Sequence, residues 1–446
     1  MKLQGLLVAT MVLAVLSGAL YWSNHRKAEE DSPGKVSPDA PGKILALNQA
    51  DVSGLAVLRK EQPEVDLSRS GSGSWQITAP EPLAADQEAV AGMLATLCSL
   101  NSQRLVEDQA TDLAQYGLAS PALEVAIALK GGKSQKLRIG QQTPAGNAYY
   151  AMLAGDPRLF TVAGYDKNSL DKTANDLRDK RLLTADFEKV SQMELTVEKP
   201  GGKQDITFAR NKEAWQILKP RPWRADTSRV EDLVRLLQGG RIDAGGDGDE
   251  AKNAAAFPSA SLVALAKVTD ASGTQELEVR KTKTDTLARS SVLSGVYKVP
   301  AALATGLDKS LDDFRNKKLF DFDYRDPDKV EFHDGSKSYF LTRAGSDWRN
   351  ADAKKVDEAA LEALVGKIRE LSGDKFVDSG FTTPALELTV SSDDSKRVEK
   401  VLIAKNGQTY IAKRENEPAL YEISSSAISD LEKAAADLKP AGEAKN

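Results

Sequence analysis

A chain of 446 residues is too long for one ordinary core, and at roughly 150 residues per domain it makes room for about three. Hydrophobic residues at 41% and charged residues at 28% describe a packed globular body, which excludes a disordered or wholly intramembrane chain. The formal charge of -5 comes from 60 Lys and Arg interspersed with 65 Asp and Glu, so the clustered cations of a nucleic-acid binder are missing, and a single cysteine, Cys98, excludes an internal disulfide and a paired-cysteine metal site.

The run from Leu3 to Trp22 carries no charged residue. At about 1.5 Å per residue it is long enough to cross a hydrocarbon core of ~30 Å as one helix. Tyr21 and Trp22 at its end suit the headgroup region, and Asn24 to Lys27 complete a polar flank. The predicted element over residues 1–27 is a membrane anchor. The alternative is a cleaved signal peptide with Ser17-Gly18-Ala19 as its small-residue site, against which the length of the apolar run speaks. No cysteine follows the run to carry a lipid, and Gly5 and Gly18 do not form a GxxxG dimer face. Lys2 and the α-amine on one side balance Arg26 and Lys27 on the other, so charge alone leaves the orientation open. Residues 28–42, with Pro, Gly and charge and almost no large apolar side chain, read as an extended linker.

From residue 43 the chain repeats itself. Trp75 opens WQITAPEPLAAD and Trp215 opens WQILKPRPWRAD, with Trp-Gln-Ile, two prolines and Ala-Asp at identical spacing. Trp348 follows Trp215 at a slightly shorter interval than Trp215 follows Trp75, and reaches Asp352 through Arg-Asn-Ala, as though the proline segment were deleted. A helical pattern follows each aspartate: Val90, Met93, Leu94 and Leu97; Val230, Leu233, Val234 and Leu237; Ala360, Leu361, Leu364, Val365 and Ile368. Asp86, Asp226 and Asp352 are therefore the expected N-caps.

Strands come next. Tyr116 to Leu129 and Gly380 to Val390 share Pro-Ala-Leu-Glu, with a degenerate FPSASLVAL from Phe257 in the middle copy, and their apolar residues alternate. VLIAK and QTYIAK flank Asn406-Gly407, the pair expected in a type I′ hairpin turn. LFTV from Leu159, VYKV from Val296 and LYEI from Leu420 recur, each leading into a helical stretch. DLRDKRLL from Asp176 and DFRNKKLF from Asp313 close the first two copies, at nearly the same offset as the first two tryptophans. The predicted architecture is α+β: three modules over residues 43–183, 184–320 and 321–446, each a mostly antiparallel sheet with about two helices, in an elongated array.

A strand, Trp-x-Ile-x-x-Pro, Ala-Asp and a helix, YGL-x-x-P, and a closing DLRDK together resemble the bacterial family called domain of unknown function 4340. The best matches are Trp75 to Asp86, Tyr116 to Pro121 and Asp176 to Leu183, and the resemblance covers essentially the whole chain after the linker. It implies a single N-terminal anchor in a bacterial inner membrane, a body in the periplasm, and an accessory role beside transporters of the ATP-binding-cassette type. It supplies no catalytic residues.

The search for chemistry gives weak candidates. His25 and His333 are the two histidines, and His333 beside Asp334 reads as a strand-end turn. GSGSW at Gly71 lacks the spacing of a nucleophile elbow and reads as a hairpin loop. GGKS at Gly131 has Ile127 where a phosphate-binding loop needs glycine, so it reads as a turn. GGDGDE from Gly245 and the stretch with Asp321, Asp323, Asp326 and Asp328 lack the EF-hand order and read as solvated loops. Trp75 and Trp215 precede Ile77 and Ile217 in period-two alternation, which favours core over a sugar platform, whereas Trp223 lies in a loop of the middle copy and is the candidate binding aromatic. Cys98 is expected as a small buried hydrophobe.

These readings predict no catalytic, cofactor-binding or metal-binding residue. The expected protein is a non-enzymatic, membrane-anchored extracytoplasmic accessory or scaffold, partnered by transporter subunits or another envelope protein. A binding module for an envelope polymer or small ligand is the alternative, and an enzyme of unfamiliar type comes third.

Overall fold

The computed structural model describes residues 42–211, 214–243, 249–322, 327–335 and 337–438. The predicted anchor, and the linker apart from Gly42, lie outside these residues; among the described residues no helix is long and apolar enough to cross a membrane. The chain divides into two compact units, one ending at Lys180 and one beginning at Arg181.

Alternating apolar residues build the sheets. In the first unit Leu123, Val125 and Ile127 of the strand Leu123–Leu129 are buried while the residues between them are not. That strand pairs antiparallel with Val52–Arg59, which carries the hairpin strands Val65–Arg69 and Trp75–Ala79 on its other side. Ser134–Gln142, Ala148–Leu153 and Leu159–Ala163 continue the sheet, and Arg104–Glu107 pairs at its edge. Two meanders are thus joined through their first strands, with the long helix Gln87–Ser99 between them in sequence.

The second unit repeats this plan twice. Gln192–Lys199 and Ser261–Asp270 are the joined strands of one sheet, Pro327–Asp334 and Leu386–Ser392 those of the other, and the neighbours follow in the same order. The three sheets cover three separate cores. Every pairing between these strands is antiparallel, as the alternation predicts, and nine α-helices accompany them among the described residues. The first module has three of these helices and the second four, counting the long one in each, so the expected two helices per module hold only for the third, where Ser425–Ala436 packs on Glu358–Glu370.

The long helices bury the predicted faces: Val90, Met93, Leu94 and Leu97; Val230, Leu233, Val234 and Leu237; Leu361, Leu364, Val365 and Ile368. Asp86 accepts from the N–H groups of Glu88 and Ala89, and Asp226 from those of Ser228 and Arg229, as expected of N-caps. The third cap is not Asp352. Asp357 takes the role, accepting from the Ala360 N–H at 2.9 Å. Asp352 instead lies in a turn held by Asn350, whose Oδ1 accepts from the N–H groups of Asp352 and Lys354. The segment is therefore not a deletion ending at Asp352: the chain turns back through Ala353, at φ 57°, before the helix begins.

A second correction concerns Asn406-Gly407. The ladder pairs Asn406 with Thr409, so the central residues are Gly407 and Gln408, and of these only Gly407, at φ 62°, is left-handed. One positive φ at the first central position is the sign pattern of a type II′ turn, in which glycine leads, rather than type I′.

The closing motifs act as straps. In the second copy Phe314 packs in the second core, the Asp226 N–H donates to the Phe314 carbonyl, and then Leu319 and Phe320 enter the third core. Leu319 N–H donates to the carbonyl of Leu371, just beyond the long helix of that module. The first copy has the same bond from Asp86 to Leu177, and Leu182 N–H donates to Gly240 in the same way. Lys43-Ile44-Leu45 is a divergent strap for the first module, with Ile44 N–H on the Leu100 carbonyl.

Candidate functional site

The repeated tryptophans are structural first. Trp75 and Trp215 are 5% and 2% exposed, in their cores, while Trp348 is half-buried. Each lies across the ladder from an arginine: Arg69, Arg210 and Arg343. The guanidiniums of Arg69 and Arg210 stand 5.8 and 5.7 Å from the ring centroids of Trp75 and Trp215, a cation–π spacing. This pairing is visible in the sequence as an arginine five or six residues before each tryptophan.

Trp223 is not a free binding aromatic. With Arg224 it forms a two-residue strand beside Ala214–Lys219, and its ring packs against both the second and the third core. The guanidinium of Arg315 lies 4.3 Å from its ring centroid and 3.4 Å from that of Phe376. Arg224 reaches into the third module, where it donates to Asp321 and, at 3.1 Å, to Glu417 Oε2, and it also donates to the Lys318 carbonyl in the strap; its Nε stands 3.0 Å from Glu417 Oε1. Arg414 completes the group, 2.7 Å from Glu417 and 3.0 Å from Glu399, with a further bond of 2.6 Å to the Leu319 carbonyl. Burial alone would lower the pKa of Arg224, but the Tyr421 hydroxyl and the carboxylates of Asp321 and Glu417 outweigh it and hold the guanidinium above the usual arginine value. Burial raises the Tyr421 hydroxyl against the pull of Arg224. With Arg397 also on Glu399, at 3.3 Å, three guanidiniums face three carboxylates, which makes a joint between modules rather than a reacting centre.

Two clefts flank this joint. One, of about 550 Å³, lies between the helix Thr227–Gly239 and the segment Gly306–Lys317, with Arg229, Lys309 and Lys317 on its walls. Its carboxylates are engaged within the protein: Asp226 caps a helix, Asp313 accepts from Ser310, Asp312 pairs with Arg315, and Asp232 with Arg235. The other, of about 520 Å³, is lined by Ser228, Lys318, Phe320 and Ser372.

The remaining candidates have local partners. His333 Nδ1 is 2.8 Å from Ser338 Oγ across the strand pair and meets Phe340 edge-on. His25 lies outside the described residues. Gly131 and Gly132 form a turn with positive φ, and Ser70 to Ser74 form the hairpin loop. Asp321 belongs to the joint, and Asp328 accepts from the Ser395 N–H at 3.1 Å. Asp323, Asp326 and residues 245–248 lie outside the described residues, while Asp249 pairs with Lys298 at 3.2 Å. Among the described residues no three His, Cys, Asp or Glu converge as metal ligands. Cys98 is half-exposed rather than buried, and partial desolvation pushes its thiol pKa up against the pull of Lys43.

Tandem antiparallel modules with repeated caps and straps define a repeat protein. The model of the family described as domain of unknown function (DUF4340) matches residues 75–258 and 215–385, and the chain belongs to this family. Both matches open on a repeated tryptophan and run through a closing motif into the first meander of the following module. The strap is thus internal to the family unit. Comparison with curated proteins gives no match.

Proposed function

We propose that this protein is a non-enzymatic accessory or scaffold, held in a bacterial inner membrane by residues 1–27 with its modules in the periplasm. Its partner would be an ATP-binding-cassette-type transporter or another envelope protein. The observation that carries this reading is the use made of the repeated residues, with Trp75 and Trp215 filling cores and Asp86 and Asp226 capping helices, while the unrepeated Trp223 joins modules. A residue set spent on folding and joining suits a body that presents surfaces.

Sidedness is tested with paired C-terminal reporter fusions, one active only in the cytoplasm and one only outside it. The scaffold reading expects activity from the second alone; activity from the cytoplasmic reporter alone would overturn it. The cleft of about 550 Å³ beside Thr227–Gly239 favours a second reading, binding of an envelope polymer or small ligand. Chemical-shift or thermal-shift screening with envelope glycans and peptides tests it, and saturable binding lost in R229A supports it.

A further inference from the structure

The third module carries charge where the second carries none. Glu399 accepts from the Asp321 N–H at 3.2 Å, just as Gln275 Oε1 accepts from the Thr184 N–H at 2.8 Å in the second module. Arg414 donates to the Leu319 carbonyl where Ser290 donates to that of Leu182. The strap is therefore the same in both, and a buried ionic group has been added at one of them. On the opposing surface the second module has Trp223-Arg224 where the first has Leu83-Ala84.

We propose that Trp223 and Arg224 lock the second and third modules into one body that opens and unfolds together, so that the clefts on both sides of Lys317 form one fixed surface. Arg224 bonds two carboxylates of the third module and the Lys318 carbonyl of the strap that leads into it, and its side chain is 21% exposed. Losing it leaves Arg414 to serve Asp321 and Glu417 while sharing Glu399 with Arg397, so that three carboxylates face two guanidiniums in a partly desolvated place. Losing Trp223 removes the aromatic plate between Arg315 and both cores.

The test is denaturant-dependent hydrogen exchange on the full-length protein, following the central strands Gln192–Lys199 and Leu386–Ser392, one in each module. The native protein should exchange both through one opening with the same urea dependence. In R224Q the two opening constants should diverge at least tenfold. Distinct opening constants in the native protein, or strands that still move together in R224Q, would overturn the lock. Should R224Q fail to accumulate, E417Q and W223L weaken the same joint and must each split the two strands. The paired R224Q/E417Q protein should show a coupling of at least tenfold, and independent effects would count against the contact.

Discussion

Asp86, Asp226 and Asp357 each hold the first turn of a 13-residue helix by accepting N–H bonds that the helix cannot satisfy itself. Replacing any of them by alanine should cost about 1 kcal/mol, while D352A, in an exposed turn, should stay within ~0.5 kcal/mol of the native protein; urea denaturation separates the two outcomes. Asp313 gives a pH signature. Burial would raise its pKa, but bonds from the Ser310 hydroxyl and N–H, each 2.7 Å, outweigh that and hold the carboxyl below its usual range. A pKa lower in the folded than in the unfolded chain means the stabilisation is complete above about 4 and fades as pH falls through the folded value. The stability gap between the native protein and D313N should be widest near neutrality and close in acid; a gap independent of pH would contradict the assignment.

At the scale of elements, the helix faces and strand alternation were legible because period 3.6 and period 2 place apolar residues directly. Spacing from tryptophan to cap was legible in two copies and misleading in the third, where an Asn350 turn replaces the proline segment and a second aspartate lies five residues on. The joint was illegible for a different reason. Trp223 stands out in the sequence, where the first copy has Leu83, but a lone loop aromatic reads as a binding residue, and no spacing ties Arg224 to Asp321, Glu399 or Glu417 far along the chain. W215A should cost ~3–5 kcal/mol, and W348A, at a half-buried position, clearly less, as thermal unfolding would show. G140A tests the packing of the second meander of the first module: an added Cβ would sit 2.2 Å from the Tyr116 carbonyl, which is backbone and cannot swing away. A loss of about 1–3 kcal/mol is expected, and a neutral G140A would mean the strand can shift there freely.

At the scale of the whole molecule, repeated signatures were visible as copies of one module, and family membership follows from matches that both begin at a tryptophan and cross a strap. What the modules touch is written in surfaces, where no period constrains the residues, so sequence reading supplied a class of partner through resemblance and no contact residue. The measurement that tests the scaffold reading most directly is in-cell crosslinking of the full-length tagged protein, followed by mass spectrometry of what co-purifies, with an anchor-deleted version exported to the same compartment as control. The account predicts recovery of transporter permease and ATPase subunits, or of one defined envelope partner, with the full-length protein and sharply reduced recovery with the control. Repeated trials that recover nothing specific with the full-length protein would contradict it.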